Sequence, residues 1–147
     1  MGADHPSVAD ALTRLATVLE AQGAHEAARS HGERALAIEE KALGPEHPLV
    51  ANPLTALGNT YRELGRLEDA IGADERAVRI REANPGDPTL LADSRFALAK
   101  ALWAARRGRP RAIELGKQAR DTSVRAGDAT WARLGEAESW LAGLGVE

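Results

Sequence analysis

Residues 5–9 read His5-Pro6-Ser7-Val8-Ala9, and residues 47–51 read His47-Pro48-Leu49-Val50-Ala51, so one pattern returns after 42 positions. A weaker third copy begins at Asp87-Pro88. Further columns keep this spacing or nearly so: Leu12 with Leu54, Leu15 with Leu57, Gly23 with Gly65, Ala28 with Ala70 and Ala112, and Ala35 with Ala77 and Ala119. Self-similarity at a period of about 20–50 residues indicates an array of repeated structural units.

Each copy has the local signals of a helix, a turn and a second helix. Its His-Pro or Asp-Pro pair sets a capping residue before a proline at the first helical position, where the missing N–H costs nothing. Apolar residues follow at helical spacing, and Gly23 and Gly65 then end the first helices. Gly44-Pro45 and Asn84-Pro85-Gly86 interrupt the chain before the next copy. No stretch alternates as a strand does, so the sequence predicts an all-α protein.

The pattern predicts one domain, 1–147, with seven helices. The helices are expected near residues 6–22, 25–43, 48–64, 67–83, 88–106, 109–126 and 129–143. Repeat 1 is expected at about 5–46, repeat 2 at about 47–86, repeat 3 at about 87–127 and a capping helix at about 128–144. Proline inside a helix removes a backbone hydrogen bond, so the third helix is expected to start irregularly at Asn52 and Pro53. The seventh helix carries an apolar stripe of Trp131, Leu134, Ala137 and Leu141, which suits a terminal cap.

The run from Glu33 to Ala51, ERALAIEEKALGPEHPLVA, resembles the 42-residue tetratricopeptide repeat of the kinesin light chain type, which is also widespread in bacterial proteins. This resemblance implies an α-solenoid of three helix hairpins closed by the capping helix. Close crossing of the paired helices needs small contact residues, which the alanine columns supply. The family usually has a large residue where this chain has Gly32 and Asp74, so thin packing is expected at those two positions.

Composition and motifs exclude several classes of function. The net charge of −3 offers no general attraction to nucleic acid or to anionic lipid, and the chain has no cysteine. No apolar run approaches the roughly 20 residues that cross a bilayer. The chain has no signal-peptide pattern, nucleophile motif or phosphate-binding glycine loop. The prediction is therefore a cytoplasmic protein that is not an enzyme, has no cofactor or metal, and binds neither nucleic acid nor membrane.

Three groups of residues have two interpretations each. The four histidines could bind a metal, but His5 and His47 open helices and His25 and His31 lack the spacing of paired ligands. The basic run 106–111 could hold phosphates, although an exposed turn between helices is favoured. The three tryptophans could form a binding surface, although a role in the core of the cap is favoured.

The resemblance further implies that the first helix of each hairpin lines a concave groove that binds extended peptides or partner helices. The groove residues expected from the leucine columns are Thr13, Arg14, Thr17, Thr55, Ala56, Asn59, Arg62, Phe96, Ala97 and Lys100. This set is polar and mildly basic, with Phe96 as its large apolar side chain. The expected partner is a protein segment with acidic residues and one apolar anchor.

Two functions therefore remain open. The first is a protein–protein interaction module, a scaffold or adaptor within a larger bacterial signalling or regulatory protein. The alternative is a structural segment of a longer array, or one that self-associates and has no dedicated ligand. The alternative rests on the apolar end of repeat 1, where Val8, Leu12 and Leu36 are expected to be exposed.

Overall fold

The computed structural model describes residues 5–126 and 132–146, and this part of the chain contains seven α-helices and no strand. The helices are α1 Pro6–Ala21, α2 His25–Leu43, α3 Ala51–Glu63, α4 Leu67–Ala83, α5 Pro88–Ala104, α6 Arg109–Arg125 and α7 Ala132–Gly143. The predicted start of the seventh helix at residue 129 lies outside the described residues, and every remaining end lies within three residues of its predicted position. Because this part of the chain is helical and has no strand, the all-α prediction is confirmed. None of the helices in these residues combines the length and apolar character that a bilayer span requires.

Side chains next to proline start the first helix of each hairpin. The Nδ1 atom of His5 accepts a hydrogen bond from the backbone N–H of Ser7 at 3.2 Å, and His47 does the same for Leu49 at 3.2 Å. Asp87 caps α5 through the N–H of Thr89 at 2.9 Å. These bonds satisfy amide groups that the helix leaves unpaired. The structural interpretation of His5 and His47 is thereby confirmed.

The third helix begins irregularly, as Pro53 predicts. Residues Pro48–Val50 form a 3-10 turn, and the regular α-helix starts only at Ala51. Pro53 then lies in the first α-helical turn, where no backbone N–H has an intrahelical acceptor. The restart falls at Ala51, one residue before the predicted position.

The helices pack as consecutive antiparallel hairpins. Helix α1 pairs with α2, α3 with α4 and α5 with α6, while α2 contacts α3, α4 contacts α5 and α7 contacts α6. Helix α3 also touches both α1 and α5, so the first helices form a continuous row. The alanine columns are fully buried at the hairpin crossings: Ala28, Ala35, Ala70, Ala77, Ala112 and Ala119. Small side chains at these positions let the backbones approach closely.

The prediction of thin packing at Gly32 and Asp74 is wrong. A Cβ atom on Gly32 would lie 2.9 Å from Cδ2 of Leu57, so the leucine of the next hairpin fills that space. A Cβ atom on Gly58 would lie 1.9 Å from Oδ1 of Asp74, so the aspartate fills the equivalent space in its own hairpin. Each glycine is paired with a larger side chain on the facing helix, and the packing is therefore dense.

The exposed residues at the end of repeat 1 also differ from those expected. Leu12 is buried, and Val8 is partly buried against the hydrophobic cluster that contains Leu12. Leu36 packs against the hydrophobic cluster of the second hairpin. The large apolar side chains that α1 does expose are Leu15 and Val18.

Helix α7 covers the last hairpin. Ala137 and Leu141 are buried, as the capping stripe predicts, whereas Trp131 and the side chain of Leu134 lie outside the described residues. Trp140 sits over Gly116 of α6, where a Cβ atom would come within 2.8 Å of the indole ring. The ring of Trp140 also meets that of Trp103 edge to face at 6.1 Å. The core interpretation is thus confirmed for these two tryptophans.

Candidate functional site

Three of the residues expected in the groove lie together in a cleft between the C-terminal halves of α1 and α3. The cleft has a volume of about 490 Å³ and is lined by Thr17, Glu20, Ala21, Gly23, His25, Asn59, Arg62 and Glu63. Thr17, Asn59 and Arg62 belong to the predicted set, while the two glutamates and His25 do not. We call this feature the α1–α3 cleft.

Two polar atoms of the predicted groove residues in the α1–α3 cleft have no hydrogen-bond partner among the described residues. They are Oδ1 of Asn59 and Nε of Arg62, and both atoms are buried. The guanidinium of Arg62 lies 3.8 Å from the Glu63 carboxylate, an ion-pair contact with room for further hydrogen bonds. Buried polar atoms are nearly always paired, so such atoms are suited to receive a ligand's donor and acceptor groups.

The other predicted residues of α1 and α5 are partly occupied by neighbours within the protein. Arg14 is exposed and forms an ion pair with Asp10 at 3.0 Å. The hydroxyl of Thr13 donates to the carbonyl oxygen of Ala9 at 2.9 Å. The ammonium of Lys100 lies 4.4 Å from the centre of the Phe96 ring, a cation–π contact.

Phe96 is not an accessible anchor, which corrects the sequence prediction. It is 1% exposed and its ring meets Trp140 of α7 edge to face at 5.9 Å. Helix α7 therefore covers the side that a two-helix repeat unit would leave open. Ala97, which follows Phe96 on α5, is also buried.

Thr55 is likewise unavailable to a ligand. It is 8% exposed, and its hydroxyl donates to the carbonyl oxygen of Ala51 at 2.9 Å. The hydroxyl oxygen of Thr55 also accepts a hydrogen bond from Arg81 at 3.3 Å. The bond from Arg81 joins α3 to α4, so Thr55 has a structural role.

A buried carboxyl group, that of Asp74, lies behind the row of first helices. Asp74 is packed against Gly58, and its Oδ1 atom has no hydrogen-bond partner in the part of the chain described. Burial raises the pKa of Asp74 well above its ordinary value, while the positive charges of Arg62 and Lys100 lower that pKa in part. The sequence pattern marked Asp74 as an exception to the family but did not indicate its burial.

Replacing Asp74 with asparagine is expected to stabilise the protein at neutral pH. A carboxyl whose pKa is raised on folding binds more protons in the folded state, so its contribution to stability decreases as pH rises from its unfolded pKa near 3.8 to its higher folded pKa. The Asp74→Asn variant removes this loss and should gain about 1–3 kcal/mol at pH 7, because a neutral amide costs less to bury than a carboxylate. Urea unfolding followed by circular dichroism at pH 7 and pH 4 measures the difference.

The gain should be smaller at the lower pH, where the wild-type carboxyl is partly protonated even in the unfolded state. Asp69→Asn, on an exposed residue of the same helix, serves as the control and should change stability by less than about 1 kcal/mol. A gain that is larger at pH 4 than at pH 7 would contradict the assignment of an uncompensated charge to Asp74.

Three potential metal ligands meet at one end of the α1–α3 cleft. One ligand atom from each of Glu20, His25 and Glu63 lies within 4.8 Å of the other two. Nδ1 of His25 is 2.8 Å from Oε1 of Glu20, and this contact raises the pKa of His25. No spaced motif in the sequence indicates this group, because its members lie on three helices.

The basic run 106–111 forms a turn and the start of α6, as favoured from the sequence. Arg106 adopts a left-handed φ of 57°, the conformation that glycine takes at the equivalent turns of the first two hairpins. Arg107 pairs with Glu68, and Arg111 pairs with Glu75 at 2.7 Å. The carboxylates of α4 therefore already neutralise two of the arginine charges that would be needed to bind a phosphate.

Residues 7–83, 77 of the chain's 147, match the family model of the tetratricopeptide repeat. No curated protein matches the chain by sequence. The fold is similar to that of BtubC (BKLC) from P. vanneervenii, with a TM-score of 0.74 and 22% identity over 85% of this chain and 50% of that chain.

Two further crystal structures come from a Podosopora anserina protein described as a kinesin light chain with nearly identical TPR-like repeats. One has a TM-score of 0.67 and 26% identity, over 88% of this chain and 61% of that chain. The other, of a single-residue variant of that protein, has a TM-score of 0.79 and 24% identity, over 97% of this chain and 66% of that chain. The chain thus spans between half and two thirds of the length of these structures.

Proposed function

Since this chain belongs to the tetratricopeptide repeat family, we propose that it is a protein-binding module whose ligand occupies the α1–α3 cleft. Repeats of this family generally mediate protein–protein interactions, and they are typically scaffolds without catalytic activity. The finer proposal is an adaptor that works within a larger bacterial signalling or regulatory protein in the cytoplasm. The observation that supports the binding site is the α1–α3 cleft, with its unpaired polar atoms on Asn59 and Arg62.

The charges along the row of first helices favour an acidic ligand segment. Arg62 and Lys100 both lie close enough to Asp74 to affect its pKa, so their charges lie near each other on adjacent helices. A carboxylate of the ligand could accept hydrogen bonds from the Arg62 guanidinium, the geometry in which arginine binds most strongly. The apolar anchor expected on the partner has no counterpart, because Phe96 is buried. We therefore propose an acidic, polar segment bound with an affinity on the order of micromolar.

Selection of short random peptides displayed on phage tests this proposal without a known partner. Peptides enriched on the wild-type protein should carry an excess of Asp and Glu, and they should bind less tightly as salt increases. Arg62→Glu should weaken their binding at least about tenfold, because it replaces a donor with a like charge. Asn59→Ala should weaken binding to a smaller extent, because it removes one neutral hydrogen-bonding group.

The matched control is Arg79→Glu, on an exposed arginine of α4. Binding should be nearly unchanged in this variant. All variants are first compared with the wild type by circular dichroism, so that loss of binding is not confused with loss of fold. If Arg79→Glu abolishes binding while Arg62→Glu and Asn59→Ala have no effect, the α1–α3 cleft is not the binding site.

Self-association through α1 is the second candidate function, and a comparison between equivalent positions favours it. Leu15 and Val18 of α1 are 42% and 52% exposed, whereas Leu57 and Thr60, their equivalents on α3, are each 1% exposed. The equivalents on α5, Leu98 and Ala101, are also buried. In the second and third hairpins a preceding hairpin covers this column. On α1 the described residues provide no such cover, and a second copy of the chain would bury the two apolar side chains.

Analytical ultracentrifugation over a range of concentrations tests self-association. The wild-type protein should form dimers as concentration rises, and Leu15→Glu or Val18→Glu should weaken the dimer at least about tenfold by placing a charge in the interface. Val124→Glu is the control, because Val124 is also exposed but lies on α6, the second helix of the third hairpin. A protein that stays monomeric at all concentrations, or a control that dissociates equally, would refute self-association through α1.

A further inference from the structure

We infer that Glu20, His25 and Glu63 form a binding site for a divalent transition metal such as Zn²⁺. The three residues come from three helices: Glu20 lies in the last turn of α1, His25 begins α2 and Glu63 ends α3. A bound ion would therefore join the first hairpin to the second. This inference does not depend on the protein ligand proposed for the α1–α3 cleft.

The geometry of the three side chains suits a shared ion. One oxygen or nitrogen atom of each lies within 4.8 Å of the others. Zinc is bound by imidazole nitrogen and carboxylate oxygen atoms at about 2.0–2.2 Å. Small rotations of the three side chains would bring these atoms to that distance from one centre. Three protein ligands then leave a fourth tetrahedral position for water.

The second oxygen of Glu20 supports a binding role. Oε2 of Glu20 is buried and has no hydrogen-bond partner among residues 5–126 and 132–146, although Oε1 contacts His25. A buried carboxylate oxygen without a partner is costly, and a bound cation would remove that cost. An ion pair between Glu20 and His25 alone leaves this oxygen unsatisfied.

Two of the three helix ends that meet at this position, those of α1 and α3, favour a cation. The C-terminal end of a helix carries a partial negative charge, and both Glu20 and Glu63 lie in such terminal turns. Carboxylates there are unfavourable for the helix unless a positive charge is near. Arg62 supplies part of this charge at 3.8 Å from Glu63, and the N-terminus of α2 supplies another part at His25. Arg62 therefore competes with a metal ion for the Glu63 carboxylate, so removing the Arg62 charge should strengthen metal binding.

The chemistry of the ligand set selects the class of metal. Imidazole suits Zn²⁺ and related first-row ions, whereas carboxylate alone suits Mg²⁺ and Ca²⁺. Mg²⁺ requires octahedral oxygen ligands and keeps several of its waters. A site with one nitrogen and two carboxylates should therefore bind Zn²⁺ and discriminate against Mg²⁺.

Isothermal titration of the untagged protein with ZnCl₂ at neutral pH is the direct test, with MgCl₂ as the comparison. The wild-type protein should bind one equivalent of Zn²⁺, and Mg²⁺ should give no saturable binding. His25→Ala and Glu63→Gln should each weaken Zn²⁺ binding at least about tenfold. Arg62→Gln should strengthen it, because the variant removes a positive charge beside Glu63. His31→Ala is the matched control, since His31 lies on the same helix outside the group.

The melting temperature provides a readout that does not require the variants to be compared by calorimetry. A free Zn²⁺ concentration about 100 times the dissociation constant should raise the wild-type melting temperature by several degrees, because the ion binds only the folded state. Glu63 is exposed, so Glu63→Gln should keep its fold and lose this shift. The inference would be overturned if the wild type did not bind Zn²⁺, or if His25→Ala and Glu63→Gln bound it as tightly as the wild type does. In either case the three residues would form an ion pair only.

Discussion

Replacing Phe96 with alanine is expected to lower the free energy of unfolding by about 3–5 kcal/mol. The ring is 1% exposed and packs in a cluster with Ala92 of α5 and Ala119 of α6. Its contact with Trp140 attaches α7 to the third hairpin. Truncation removes this contact and leaves a cavity that rigid helices fill only in part. Urea unfolding followed by circular dichroism measures the change.

The control for Phe96→Ala is Leu90→Ala on the same helix. Leu90 is 47% exposed, so its truncation should cost less than about 1 kcal/mol. The fluorescence of the tryptophans should report loosening of α7 in the Phe96 variant, because Trp140 loses its neighbour. A Phe96→Ala protein as stable as the wild type would show that the ring is not part of the core. Any loss of ligand binding in this variant is expected to follow from reduced stability.

Replacing Leu57 with alanine is expected to cost about 2–5 kcal/mol, whereas Leu15→Ala should cost less than about 1 kcal/mol. The two leucines occupy the same column of the repeat, yet Leu57 is 1% exposed and Leu15 is 42% exposed. Leu57 fills the space above Gly32 of the preceding hairpin, and its truncation opens a cavity between two repeats. Leu15 has no preceding hairpin among the described residues, so its truncation leaves no comparable cavity.

Urea unfolding of both leucine variants is measured at a concentration where the protein is monomeric. It distinguishes the effect of the repeat position, which the two leucines share, from the effect of burial, in which they differ. Similar losses of unfolding free energy in the two variants would mean that the repeat column, and not the neighbouring hairpin, sets how much the leucine stabilises the protein. Gly32→Ala offers an independent check of the same contact, because its Cβ would press on the Leu57 side chain. That substitution should destabilise the protein by about 1–3 kcal/mol despite the better helix propensity of alanine.

Local interactions explain why the helices could be predicted closely. Capping by His5, His47 and Asp87 forms between residues two positions apart, and a glycine with positive φ ends α1 through its own backbone freedom. The irregular start of α3 follows from the covalent geometry of Pro53. None of these features depends on a distant part of the chain. The period of 42 residues then implied that similar hairpins stack on one another.

Contacts between distant residues explain why the site was predicted only in part. Phe96 stands in a column expected to face a ligand, but α7 returns across it and brings Trp140 against the ring. Thr55 stands in the same column on α3, but Arg81 of α4 binds its hydroxyl. Whether a side chain on the inner row is accessible therefore depends on elements that the repeat pattern does not specify.

The amino-acid sequence by itself determined the fold class, the helix ends and the alanine crossings, because capping, helical periodicity and side-chain size act over a few residues. Only the tertiary structure decided which columns are buried, and Leu15 and Leu57 show this at identical repeat positions. It also decided that Glu20, His25 and Glu63 lie within 4.8 Å of one another. The physical reason is that burial and convergence depend on which helices stack against each other, and stacking joins residues far apart in the chain.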